Sequence, residues 1–253
     1  MRIGDIFSRE IRWLIQEKYQ GIVTKETKTD IARIKKGEPV DYVIGFVNFL
    51  DSKIDLSKRP LIPRTETEFW VKKIIEQIQE ENLNKPLKFL DVFAGSGCIG
   101  ISILKHIPFA TVDFVDIDQK AMGQIKINCV LNGIDVSRYR IIQSNIFEKV
   151  DTCYDYIFAN PPYIAENKKS EVQTSVLLHE PHTALFGWLD GMSHIRKFLD
   201  KVTNYLNENG KIYMEFGESQ KKDIEIFLTN NDFDETTFYQ DQFGQQRYVV
   251  LGL

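Results

Sequence analysis

Hydrophobic and polar positions follow two rhythms along the chain. In the first 20 residues Ile3, Ile6, Phe7, Ile11, Leu14 and Ile15 recur at helical spacing, which predicts an amphipathic helix. The polar stretch TKETKTD and a short helical piece ending at Gly37 come next, and PVDYVIGFVNF and KIDLS then read as two short strands of a hairpin. From Glu66 onward helices and strands alternate. A helix over 66–81 leads into the strand LKFLDVFA; CIGISILKHI is helical, ATVDFVDI extended, and QKAMGQIKINCVLNG a helix stopped at Gly133. The strands YRIIQSN and YDYIFAN follow. SHIRKFLDKVTNYLNENG reads as one helix with Gly210 as its stop signal, before the strand KIYMEF, the helix SQKKDIEIFLTNN and the closing strands ETTFYQ and RYVVLGL. This order predicts an α/β fold whose mostly parallel sheet is covered by helices on both faces. The short DQFGQQ link makes the last two strands an antiparallel hairpin. Three segments result: a short helical N-terminal segment over 1–40, a β-hairpin linker over 41–64 and the alternating domain over 65–253.

Composition excludes several classes. With 253 residues, 43% apolar and 27% charged, the chain can bury a full globular core. Its net charge of −4 is not that of a protein that wraps duplex DNA. No apolar run approaches the roughly 20 residues that span a bilayer, and MRIGDIFSREIRW has no signal-peptide core. The expectation is a cytoplasmic monomer without a membrane partner. Cys98, Cys129 and Cys153 are odd in number and scattered, which suits reduced thiols better than disulfides or zinc. His179 and His182 have no partner cluster, so no metal is expected.

In an open parallel sheet, ligands bind beyond the carboxyl ends of the strands. The first such end reads DVFAGSGCIG, in which Asp91, Gly95 and Gly97 form D-x-x-x-G-x-G ahead of a helix. Its glycines let a ligand approach the backbone, and the helix N-terminus can receive a carboxylate; the same turn can equally be a tight strand-to-helix connection. Asp116 lies about 20 residues further on, where an acidic side chain can bind ribose hydroxyls, while Asp118 suits the cap of the next helix. At the third end Asn145 and Ile146 can flank an adenine ring, or Asn145 can simply serve a turn. The fourth end, Asn160-Pro161-Pro162-Tyr163, is stiff and offers acceptors with few competing donors. The Asn160 oxygen and the Pro161 carbonyl can take the two hydrogens of a planar –NH2 group, with Tyr163 as an aromatic wall.

These motifs resemble those of class I, Rossmann-like S-adenosylmethionine-dependent N-methyltransferases, and more narrowly the PrmC/HemK family, which methylates the glutamine of the Gly-Gly-Gln motif in peptide chain release factors. From Pro39 to the C-terminus further stretches match: IPRTETE resembles the family's I-P-R-P-E-T-E, HEPHTALFGWLDG its E-P-x-x-A-L-x-G-G-x-D-G, MEFGESQ its E-x-G-x-x-Q, and DQFGQQR its D-x-x-G-x-x-R. Thr65 departs from the family's proline and makes a T-x-x-E capping box with Glu68. Trp188 replaces a glycine, and Asn145 stands where the family has aspartate. The family carries a longer helical region ahead of the hairpin, so simpler substrate docking is expected here. The resemblance implies S-adenosylmethionine bound by Asp91, Phe93, Ala94, Gly95, Gly97, Asp116, Ile117, Asn145, Ile146 and Asn160, with S-adenosylhomocysteine as product. Asn160, Pro161, Pro162 and Tyr163 would form the catalytic loop. The expected partner is a release factor, with no direct nucleic-acid partner. Glutamine methylation of a ribosomal protein, adenine-N6 methylation of nucleic acid, and a non-enzymatic cofactor-binding subunit stand as alternatives.

Overall fold

The computed structural model describes residues 3–81, 85–229, 231 and 233–253. Helices α1 (Ile3–Tyr19), α2 (Lys25–Lys35) and α3 (Val40–Ile44) precede a hairpin of β1 (Phe46–Phe49) and β2 (Ser52–Asp55). Then come α4 (Thr65–Glu81), β3 (Leu87–Val92), α5 (Cys98–His106), β4 (Ala110–Asp116), α6 (Gln119–Leu131), β5 (Tyr139–Gln143) and β6 (Tyr154–Ala159). The chain finishes with α7 (Thr174–His179), α8 (Ser193–Leu199), β7 (Leu206–Glu215), α9 (Lys221–Leu228), β8 (Glu235–Gln240) and β9 (Gln246–Gly252). The large sheet has the order β5-β4-β3-β6-β7-β9-β8. β3 to β7 pair in parallel, and β9 runs antiparallel to both β7 and β8. This is the mostly parallel, Rossmann-like sheet that the resemblance implies, and its order reverses between β3 and β6, where a crevice opens at the strand C-ends.

Alternation along the central strands builds a core on each face. In β6, Tyr156 and Phe158 join Trp70, Ile74 and Ile78 of α4 and Ile101 of α5 on one side. Ile157 and Ala159 join Ile195 and Phe198 of α8 and Ile224 of α9 on the other. A smaller cluster, Leu14, Ile34, Val40, Val43 and Ile44, knits α1, α2 and α3 together. Ile3, Ile6 and Phe7 of the expected apolar stripe lie outside the described side chains. Among the described residues no helix is long and apolar enough to cross a membrane.

Two stretches differ from the sequence expectation. PVDYVI is helical, not extended: Val40, Tyr42, Val43 and Ile44 are all buried, so no face alternates, and Gly45 at φ 98° ends the turn in the left-handed region. A β-branched run mimics a strand when tertiary burial is complete. The long helix expected over 193–210 stops at Leu199, and β7 begins at Leu206. The pairing of β6 with β7 jumps from Tyr154↔Leu206 to Tyr156↔Lys211, so Gly210 lies at a break in strand register and stops no helix. The capping box expected at Thr65 is also absent. Thr65 donates to Glu66, while Glu68 reaches the hairpin and accepts from the Leu50 N–H at 2.9 Å.

The hairpin is fixed by polar side chains of α6 and its C-cap residue Asn132. Asn128 accepts from Asp55 N–H at 2.8 Å, Asn132 accepts from Lys53 N–H at 3.0 Å and donates to its carbonyl at 2.8 Å, and Gln124 accepts from Lys58 N–H at 2.8 Å. Spaced by four, these residues form one stripe that satisfies the free backbone of β2 and the loop after it.

Asp41 opens α3. Burial pushes its carboxyl from 3.8 up to about 6, with Arg64 opposing and Glu180 and Glu10 adding to the rise. The folded state therefore holds a proton that the unfolded chain has released, and stability falls as pH rises through that window. Asp41→Asn is expected to raise the melting temperature at pH 7.5, with a smaller gain at pH 5, as read in thermal unfolding followed by circular dichroism.

Candidate active site

The turn after β3 is held in the left-handed region at Phe93 (φ 60°), Gly95 (φ 54°) and Gly97 (φ 77°). Only Gly95 faces open space. A Cβ on Gly97 would stand 3.1 Å from Ile125 of α6, so that glycine serves helix packing. Asp91 lies behind the turn, almost fully buried, where it accepts the Gly100 N–H at 3.0 Å. Burial, with the nearby Asp116 charge adding to it, pushes its carboxyl up to about 8. It braces the α5 N-terminus and is not part of the crevice wall.

Asp116 does face the crevice. Its Oδ2 accepts the Gly95 N–H at 2.8 Å and its Oδ1 the Asp118 N–H at 2.9 Å, which leaves each oxygen one further acceptor site. Burial raises its pKa, and these N–H groups pull it back. Asp118 caps α6 through the Lys120 N–H at 2.9 Å, as its position predicts. Ile117, 63% exposed, and the buried Ile146, at φ 52°, both line the crevice. Asn145 donates to Glu148 at 2.7 Å. Phe93, Ala94, Asn160 and Pro162 also line this crevice.

The opposite wall is Ile62-Pro63-Arg64, and it is clamped from afar. The nearly buried Glu180 accepts the Ile62 N–H at 3.1 Å and the Arg64 guanidinium at 2.7 Å. The Asn160–Tyr163 loop is clamped likewise. Gln220 donates to the Tyr163 and Gly191 carbonyls, both at 3.0 Å, and accepts the Gly217 N–H at 2.9 Å. Ile164 donates to Leu185 O, and Gly187 donates to Ile164 O, each at 2.9 Å. A Cβ on Gly191 would overlap the Tyr163 carbonyl, so backbone packs on backbone here. Tyr163 does not form the aromatic wall expected of it. Its hydroxyl turns inward to Glu215 Oε1 at 3.2 Å, and neither Tyr163 nor Pro161 lines the crevice.

Asn160 directly follows β6, and its Nδ2 donates to Thr67 Oγ1 at 3.3 Å. Thr67 in turn donates to Glu215 Oε2 at 2.6 Å, and Trp70 Nε1 donates to the same oxygen at 2.8 Å. Burial raises the Glu215 pKa against the pull of these donors and of Arg247. Sequence reasoning gave Thr67, Glu180, Glu215 and Gln220 no roles, although each sits inside a quoted motif. His194, which lines the crevice beside Phe93, carries no sequence signal at all.

The crevice brings together the Asp116 carboxylate, apolar side chains and the Asn160 amide. The methyltransferase small domain family matches residues 71–186. The release factor glutamine methyltransferase of Flavobacterium psychrophilum is 34% identical over 241 residues, covering 92% of this chain and 82% of that protein. That of Lactococcus lactis subsp. lactis is 34% identical over 248 residues, covering 96% and 88%. Among solved structures, a methyltransferase from Pyrococcus furiosus superposes with a TM-score of 0.58 at 16% identity, covering 88% of this chain and 98% of that one, and so shares the fold.

Trp188 sits at φ 68°, where the related motif has glycine, with its side chain 60% exposed. The left-handed region costs an L-residue about 1–2 kcal/mol. Trp188→Gly is expected to stabilise by up to about 1 kcal/mol after the entropic cost of glycine. Gly191→Ala is expected to destabilise by about 2 kcal/mol or more. Urea titration checks both.

Proposed function

The chain belongs to the release factor glutamine methyltransferases, and we propose that it methylates the side-chain amide nitrogen of the Gly-Gly-Gln glutamine in a peptide chain release factor. The observation that carries this reading is the shared crevice. Asp116, Gly95 and the Ile117–Ile146 pair suit an adenosine, and Asn160 stands at the adjoining strand end with its amide oxygen uncommitted to Thr67.

Asp116 would accept the ribose hydroxyls, with Ile117 and Ile146 against the adenine and Asn145 at its edge. Gly95 would leave room for the rest of the cofactor, and Phe93 and Ala94 would complete the wall. When bound, S-adenosylmethionine supplies a sulfonium methyl; transfer exchanges an S–C bond for an N–C bond, leaves the electron pair on sulfur and releases one amide proton.

The chain's own task is orientation. A glutamine nitrogen is a poor nucleophile because its lone pair is delocalised into the carbonyl. Asn160 Oδ1 would accept one of its N–H groups, aiming the lone pair and stabilising the positive charge that grows on nitrogen; Pro161, which does not line the crevice, is not assigned the other. Pro161 and Pro162 keep that loop stiff. No strong base is needed before transfer, because the nitrogen becomes acidic only as the new bond forms.

Labelled S-adenosylmethionine offered with a release factor, its Gly-Gly-Gln→Gly-Gly-Ala variant, ribosomes and DNA tests the assignment. Label is expected on the intact release factor alone; label on DNA or on the alanine variant would sink it. Asn160→Ala is expected to keep cofactor affinity while losing about 100-fold or more in kcat. Asp116→Ala is expected to weaken cofactor binding by about tenfold or more in calorimetry.

A further inference from the structure

Three stretches far apart in sequence meet behind Asn160. Thr67 and Trp70 lie one turn apart on α4, and Glu215 ends β7. All three are buried, at 2%, 0% and 1% exposure. Trp70 Nε1 and Thr67 Oγ1 converge on the same Glu215 oxygen, at 2.8 and 2.6 Å. An indole N–H can only donate, so that oxygen is an acceptor. Thr67 has a single hydroxyl hydrogen, and it is spent on Glu215. The Thr67 oxygen is then left only to accept, and the Asn160 amide at 3.3 Å meets it with its NH2 end.

The two ends of an asparagine amide are nearly the same size, so shape does not choose between them. Here the polarity of the hydrogen-bond chain chooses. We propose that Glu215, acting through Thr67, is a positioning residue that sets which end of Asn160 faces the crevice. The inference rests on Asn160 being the acceptor for the substrate amide. With the NH2 end on Thr67, Oδ1 is presented to the crevice. Flipped, Asn160 would oppose the substrate –NH2 with donors of its own.

The relay needs an acceptor oxygen at position 215, not a negative charge. Glutamine there can keep its oxygen on Trp70 and Thr67 and turn its NH2 toward the Tyr163 hydroxyl, which lies 3.2 Å from the other carboxylate oxygen. A direct catalytic role for the carboxylate makes the opposite forecast.

Thr67→Val, Thr67→Ser and Glu215→Gln separate these cases. Each is compared with the unmodified protein by kcat and KM on a release factor, by cofactor Kd, and by the side-chain amide resonance of Asn160 in asparagine-labelled protein. Thr67→Val, which is isosteric but has no hydroxyl, is expected to lose about 100-fold in kcat, with cofactor Kd within about twofold and a displaced Asn160 amide signal. Thr67→Ser and Glu215→Gln are expected to keep kcat within about fivefold and to leave the Asn160 signal in place. An unchanged kcat and an unchanged Asn160 signal in Thr67→Val would overturn the relay. So would a Glu215→Gln protein as inactive as Thr67→Val. If the unmodified protein leaves release factors unlabelled, the functional reading fails, while the amide signal still decides whether Thr67 and Glu215 orient Asn160.

Discussion

A carboxylate without water must be surrounded by donors or it is not tolerated, and Glu215 is such a group. Thr67 and Trp70 from α4 and Tyr163 from the loop after β6 supply the donors. Satisfying one buried charge therefore fixes how α4, that loop and β7 sit against each other. Trp70, fully buried and stacked on Phe158 and Tyr248, adds an apolar anchor at the same point. Its burial contributes on the order of 2–3 kcal/mol. The polar junction supplies direction and the aromatic stack supplies adhesion.

The motifs of this chain work as braces for one another. Glu180 holds the Ile62–Arg64 wall, and Gln220 ties the Tyr163 carbonyl to Gly191. Asp241 gathers the Phe243 and Gln245 N–H groups and the Arg247 side chain into one turn. Glu180 and Gln220 reach across the chain while Asp241 acts within six residues, and in each case a polar side chain satisfies the backbone or a charged group of a loop. Such loops cannot bury enough apolar surface to hold themselves, so directional bonds substitute for packing.

Local physics made much of this legible beforehand. The apolar runs of β3, β4 and β6 announce strands covered on both faces, Asp118 caps the helix it precedes, and the short link before β9 gives the antiparallel pair. Asp116 and Asn160 could be placed at strand ends because strand ends are where a run stops. Errors arose where local pattern is ambiguous. Val40–Ile44 carries strand-like residues in a helical turn, and Gly210 looks like a helix stop while lying at a register break within β7. The direction of Tyr163 and the engagement of Thr67 depend on Glu215, and no periodicity links positions 148 residues apart.

That separation has a consequence for biosynthesis. At about 5–20 residues per second, Glu215 leaves the ribosome roughly 7–30 s after Thr67. Until β7 inserts beside β6, the indole of Trp70 and the hydroxyl of Thr67 lack their shared acceptor, and the amide of Asn160 is free to rotate. A nascent chain that has already formed the Asp116 side of its crevice still lacks the Glu215 acceptor. Completion of this buried junction is thus a late event in the life of the polypeptide, coupled to arrival of β7.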